Sequence, residues 1–250
     1  MFDWAVGIFT FLIGTFIGSF LNVISDRLYL KQDFVRGRSR CEKCQKELHA
    51  KNLIPILSFL LQKGKCSFCH KKISFLYPLS EIITGVTFLV AYYLYVSQNL
   101  NYLFFIYLLF TFSFYLIISF TDFKYYEIPF EIVVIGSVFS ILFRTFILKT
   151  ITFENIFSEI LSVVIIFAFF YFIIWVSKGG MGGGDLKLAC FLSLSVGYPA
   201  IISALYFGFI LGGVFGVLVL VFKLKDLKSV IPFGPFLILG AVLSFFFNLF

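Results

Sequence analysis

The chain has 250 residues, of which 60% are hydrophobic and only 13% charged, with 38 phenylalanines. Mean hydropathy of +1.02 and several apolar runs near the ~20 residues a helix needs to cross a bilayer exclude an ordinary soluble domain. The net charge of +7 is read as a loop property that orients the chain and attracts anionic headgroups, not as a nucleic-acid footprint.

Because the hydrocarbon core offers no hydrogen bonds, the backbone must satisfy itself, and helices do so within one segment. The expected fold class is therefore an all-α polytopic membrane protein. The N-terminus lacks a basic stretch, carries Asp3 and runs apolar from Trp4 to about Ile24, so it reads as a first span and not a signal peptide. Further spans are predicted near 79–97, 101–120, 129–148, 156–176, 186–204, 205–222 and 230–249, giving about eight with the first at 4–25. With the N-terminus outside, the inward loops 26–78, 121–128, 177–187 and 223–229 hold 18 of the 20 Lys and Arg residues, as the positive-inside rule requires. Only Arg144 and Lys149 fall on the other side. The expected organisation is a first helix at 1–25, a cytoplasmic module at 26–78 and a seven-helix membrane domain at 79–250.

Inside the module, Cys41-Glu42-Lys43-Cys44 and Cys66-Ser67-Phe68-Cys69 form two C-x2-C pairs separated by 21 residues. Each pair can form a tight knuckle with both thiolates on one side, and two knuckles close a tetrahedral shell around Zn2+. Lys43, Lys46, Lys65, Lys71 and Lys72 offset the thiolate charge, and Gly64 suits the turn before the second knuckle. Disulfides are disfavoured in a cytoplasmic loop; a redox dithiol and unmetallated thiols are the other readings. His49 and His70 are left out of the ligand set. Cys190, alone in a span, reads as a small packing residue.

Two acids sit at span boundaries. Asp122 ends the third span, and Asp185 opens the sixth after the glycine-rich break Gly179-Gly180-Met181-Gly182-Gly183-Gly184. A charge beside the hydrocarbon zone is costly and reads as a functional residue. The predicted topology puts both on the cytoplasmic side, where helix packing can pair them. Two touching carboxylates in a low-dielectric site tend to share one proton. One then takes a proton from water while the other protonates a carbonyl, which is aspartic-protease chemistry. The glycines permit an irregular backbone and close approach of an extended substrate. Against this, Asp185 can be a helix cap in a flexible loop, and Asp122 a solvated charge beside Lys124. Glu127, Glu131, Glu154 and Glu159 read as boundary or loop acids, and Glu81 as a first-turn helix acid.

Taken in order, these residues resemble the type IV prepilin peptidase family of bacterial membrane-embedded aspartic enzymes. The resemblance rests on Gly18-Ser19-Phe20-Leu21-Asn22-Val23 with Arg27, the paired knuckles, Asn52-Leu53-Ile54-Pro55 and Tyr77-Pro78-Leu79-Ser80-Glu81. It continues through Asp122 with Ile128-Pro129, Gly182-Gly183-Gly184-Asp185 and Phe233-Gly234-Pro235-Phe236. Leu76 departs from the family, which usually has a basic residue before Tyr-Pro, as does Phe130, where an acid often follows Ile-Pro.

The resemblance implies catalytic Asp122 and Asp185. It also implies cleavage of the basic leader of prepilins and pseudopilins after glycine, in the bacterial inner membrane with the active site at the cytoplasmic side. In many members S-adenosylmethionine then methylates the new N-terminal amine, and the cysteine module accompanies that second activity. Two alternatives stand beside this expectation. One is an intramembrane aspartic protease without methyltransferase activity; the other is a cation transporter with a zinc-binding regulatory loop, since broken helices with membrane acids also build ion sites.

Overall fold

A computed structural model describes residues 3–33, 37–41, 43–153, 155–178, 180–222 and 231–247. Glu154, Gly179, the inward loop 223–229 and the extremes of the last predicted span (230, 248 and 249) lie outside the described residues, as does Glu42 of the first knuckle.

The described residues form helices and no strand, in two compact units, Met1–Asn101 and Tyr102–Phe250. The first contains α1 (Trp4–Tyr29), the short α2 (Leu57–Leu61) and α3 (Leu76–Ser97). The second contains α4 (Tyr102–Tyr125), α5 (Phe130–Leu142), α6 (Ile156–Val176), α7 (Gly183–Val196), α8 (Ala200–Val221) and α9 (Gly234–Phe247). Apart from α2, these correspond to the eight predicted spans. Six are long and apolar enough to cross a membrane, with α5 counted through the π-helical stretch Phe143–Ile147 that continues it. By contrast α7 and α9 have 14 residues each.

Local chemistry sets the ends. Asp3 caps α1 by accepting the Ala5 amide at 2.8 Å, satisfying one of the donors that a helix start leaves open. Pro129, which has no N–H to donate, separates α4 from α5. The boundary expected at 204/205 lies instead at Gly197–Pro199. Residues 186–222 are an almost unbroken apolar run, so hydropathy does not mark the break; Gly197, at φ 84, and Pro199 make it.

In the N-terminal unit α1 packs along α3. Ser80 donates to Asn22 Oδ1 and Tyr77 to Asp26 Oδ2, each at 2.8 Å, the kind of interhelical bond that supplements packing in lipid. Helix α3 starts at Leu76, earlier than predicted, with Ser74 Oγ accepting the Leu76 amide. Glu81 is accordingly not a first-turn acid. It is buried, and its Oε2 accepts the Ile56 amide at 2.7 Å, tying the segment before α2 to α3.

In the C-terminal unit α4 contributes Leu108, Phe112, Tyr115 and Ile118 to the core and α7 contributes Leu188, Ala189, Phe191 and Leu192, all essentially fully buried. Helix α7 packs against α5, α6, α8 and α9. Helices α8 and α9 approach so closely that a Cβ on Gly240 would stand 2.5 Å from the Gly208 amide. On α6 and α8 the outward faces are apolar, with Phe157, Phe172, Trp175, Ile202 and Val217 exposed, as a lipid-facing surface requires.

Candidate active site and cysteine cluster

Asp122 lies in the last turn of α4 and Asp185 in the first turn of α7. The structure brings them to one cleft of about 280 Å³, also lined by Tyr126, Glu127, Ile128, Gly182, Gly184 and Lys187. Asp122 is only 6% exposed. Its Oδ2 accepts the Gly234 amide at 3.0 Å, so the N-terminus of α9 is aimed at a carboxylate, an arrangement favoured by its free amides and dipole. A Cβ on residue 234 would stand 2.6 Å from that oxygen, so only glycine permits the contact. In the sequence the signal for this role of Gly234 is a glycine–proline pair interrupting an apolar run.

Asp185 is half-buried, its amide donates to Gly182 O at 3.1 Å, and its carboxylate lies beside that glycine, Oδ2 3.6 Å from where a Cβ on Gly182 would stand. The helix starts at Gly183, so two of the break's glycines lie inside α7. Gly184 lets Ile128 close against the helix, its Cβ position being 3.2 Å from Ile128 Cβ, while Gly182 and Gly183 stay exposed. The rim carries both signs of charge: Glu127 is exposed, and Lys187 Nζ stands 4.9 Å from the centre of the Phe130 ring. Phe130, a departure from the family pattern, thus supplies a cation–π partner in place of an acid. Glu131 is a first-turn acid of α5, as a boundary residue should be. Glu159 is likewise a first-turn acid, of α6, but it is buried and pairs with Arg144, Nη2 to Oε1 at 2.7 Å.

The second cluster belongs to the N-terminal unit. The Sγ atoms of Cys41, Cys44, Cys66 and Cys69 lie within 4.8 Å of one another, with Cys41 and Cys69 at 3.9 Å. A tetrahedral thiolate shell with metal–sulfur bonds of ~2.3 Å has edges of ~3.8 Å, so the four fit a bound Zn2+. Both knuckles are built alike. In the first, Cys41 N donates to Lys46 O and Gln45 N to Cys41 O; in the second, Cys66 N donates to Lys71 O and His70 N to Cys66 O. Gln45 (φ 58) and His70 (φ 56) take the same left-handed turn position. Hydrogen bonds from the Cys69 and Phe68 amides bring the Cys66 thiol down to about 7, so about half of it is thiolate at pH 7. His49 packs on Phe68, and neither histidine joins the cluster. Cys190 is half-buried on α7, as a packing residue would be.

Long apolar helices with two carboxylates meeting at a cleft define a polytopic membrane protein whose polar chemistry is gathered at helix ends. The chain belongs to the type IV leader peptidase family: the model of that family matches residues 109–217, and the model of the bacterial peptidase A24 N-terminal domain matches residues 12–95. A prepilin leader peptidase/N-methyltransferase of Bacillus subtilis (strain 168) is 29% identical over 238 residues, covering 95% of this chain and 93% of the relative. The protein of that name from Stutzerimonas stutzeri is 26% identical over 90% of this chain and 85% of its own length. One from Myxococcus xanthus (strain DK1622) is 44% identical over 81 residues, 32% of this chain and 24% of its own. No solved structure matches.

Proposed function

We propose that this chain is a membrane-embedded aspartic endopeptidase that removes the leader peptide of type IV prepilins and pseudopilins, and then methylates the new N-terminus. The observation that carries this reading is the convergence of Asp122 and Asp185 on one cleft, inside the region matched by the leader peptidase family model. The names of the relatives supply the substrate and the second activity.

Held together in a poorly solvated cleft, the pair carries one proton. The ionised member draws a proton from water while the protonated member donates to the scissile carbonyl. The Gly234 amide fixes the direction of Asp122, so that carboxylate is oriented before substrate arrives. Exposed Gly182 and Gly183 leave room for an extended peptide to run alongside. S-adenosylmethionine supplies the methyl group in the second step.

Cys41, Cys44, Cys66 and Cys69 hold a structural Zn2+. The protein sits in the bacterial inner membrane with the cleft at the cytoplasmic side, where a basic leader stays by the same charge rule that orients this chain. A synthetic prepilin incubated with the purified protein and S-adenosylmethionine tests both activities. The product should lose its leader and gain 14 Da at the new N-terminus, the mass of one methylene. An uncleaved substrate would overturn the peptidase reading; a cleaved but unmethylated one would leave the protease alone.

A further inference from the structure

Helix α7 has 14 residues, about 21 Å at 1.5 Å per residue, well short of a ~30 Å hydrocarbon core. Its last carbonyls therefore end inside the protein, where each needs a donor. Ser193 O takes the Gly197 amide at 3.0 Å, and two further donors come from other helices. Tyr107 on α4 donates to Ser195 O at 2.5 Å, and Arg144 Nη1 donates to Leu194 O at 2.9 Å.

Arg144 itself is specially accommodated. It is 7% exposed, carried on the π-helical stretch Phe143–Ile147, and held by Glu159 of α6 through Nη2 to Oε1 at 2.7 Å and Nη1 to Oε2 at 3.4 Å. Gly197, just past the end of α7, makes the space: any Cβ there would overlap the guanidinium. π-Helical turns inside longer helices often mark functional positions, and the guanidinium fork can bind a carboxylate and a carbonyl at once in fixed geometry. Thus α5, α6 and the end of α7 meet at one buried ion pair, and the same α7 carries Asp185 in its first turn.

We propose that Arg144 and Glu159 form a latch that positions Asp185 by fixing the axial height and rotation of α7. They are positioning residues acting through a rigid helix, and this rests on the catalytic reading of Asp185. Without the latch α7 can slide or turn relative to α4, and the two carboxylates lose their mutual register.

A buried ion pair is often replaceable by apolar side chains of similar size without loss of stability, whereas removing one partner leaves a bare charge. The decisive variant is therefore Arg144→Met/Glu159→Met, with Arg144→Lys beside it. The double variant should fold and remain monodisperse in detergent, yet kcat for prepilin cleavage should fall about tenfold to a hundredfold, the cost expected of a small misplacement, with KM changed less than about twofold. Arg144→Lys, which keeps the charge but not the fork, should recover part of that loss.

Hydrogen exchange across Gly183–Val196, read by mass spectrometry, should accelerate in the double variant. Unchanged exchange there with wild-type kcat overturns the latch. If the double variant does not fold, the latch stands or falls on Arg144→Lys, by the same two measurements. Full cleavage by Asp185→Asn overturns the catalytic reading instead, and leaves the exchange result to judge the latch.

Discussion

The Gly234 amide donates to Asp122 Oδ2 at 3.0 Å, joining the start of α9 to the end of α4. The contact exists because residue 234 has no Cβ; an added one would stand 2.6 Å from the acceptor and 3.3 Å from Leu188 Cδ2. Gly234→Ala should turn the carboxylate out of its orientation. Initial rates of prepilin cleavage are expected to fall about a hundredfold, while zinc content, which belongs to the other unit, stays at the wild-type value. An unaltered rate would show that this amide does not orient Asp122.

Asp122→Asn and Asp185→Asn remove the proton-transfer capacity of one member of the pair while keeping its size. Each should lower cleavage by about 10³-fold or more, at the upper end of general acid–base contributions. The double variant should be little worse than either single one, because groups acting as a unit are not additive. Additive losses would mean that the two act in separate steps.

The paired carboxylates and the cysteine cluster were legible in the sequence for different reasons. Charge beside an apolar run is costly wherever it occurs, and C-x2-C spacing is a local property of a knuckle, so neither needed the fold. Glu159 stands at a helix boundary as its position implies, but its burial and pairing are not legible, because hydropathy gives depth but not the inward face of a helix, and its partner lies 15 residues away across a turn. The signal that existed was Arg144, one of two cations against the orientation rule, which is explained by burial and pairing. The limits of α7 are hidden because 188–222 carries no charge; only Gly197 and Pro199 interrupt the helices. Glu81 was displaced by the same ambiguity, its helix starting earlier than the apolar run suggested.

Zinc binding should depend on pH in a stated direction. Thiolates, not thiols, bind the metal, so protons compete with it. The Cys66 thiol is lowered to about 7 from an ordinary value of 9.0. Without metal, the unfolded module binds more protons at this site between those values, so the site contributes stability above pH 9 that is lost as pH falls through 7. Zinc retention against a chromogenic chelator should accordingly be high at pH 8 and decline below about pH 7. Cys66→Ser should retain less than ~0.2 Zn per chain. Undiminished zinc in that variant would count against the four-cysteine site.

Glu81 offers a test of the strap between the cysteine module and α3. Its Oε2 accepts the amide of Ile56 at 2.7 Å, and Ile56 sits at φ 61, a conformation that a β-branched residue adopts only when its surroundings impose it. The carboxylate is thus the restraint that holds Pro55–Leu57 against the helix. Glu81→Ala leaves the amide without its acceptor, at a cost of about 1–3 kcal/mol, whereas Glu81→Gln keeps an acceptor oxygen of the same reach. Limited proteolysis should therefore cut between Asn52 and Leu57 about tenfold faster in Glu81→Ala, with Glu81→Gln close to wild type. Equal cutting of all three proteins would show that Ile56 is held by its own turn and not by Glu81.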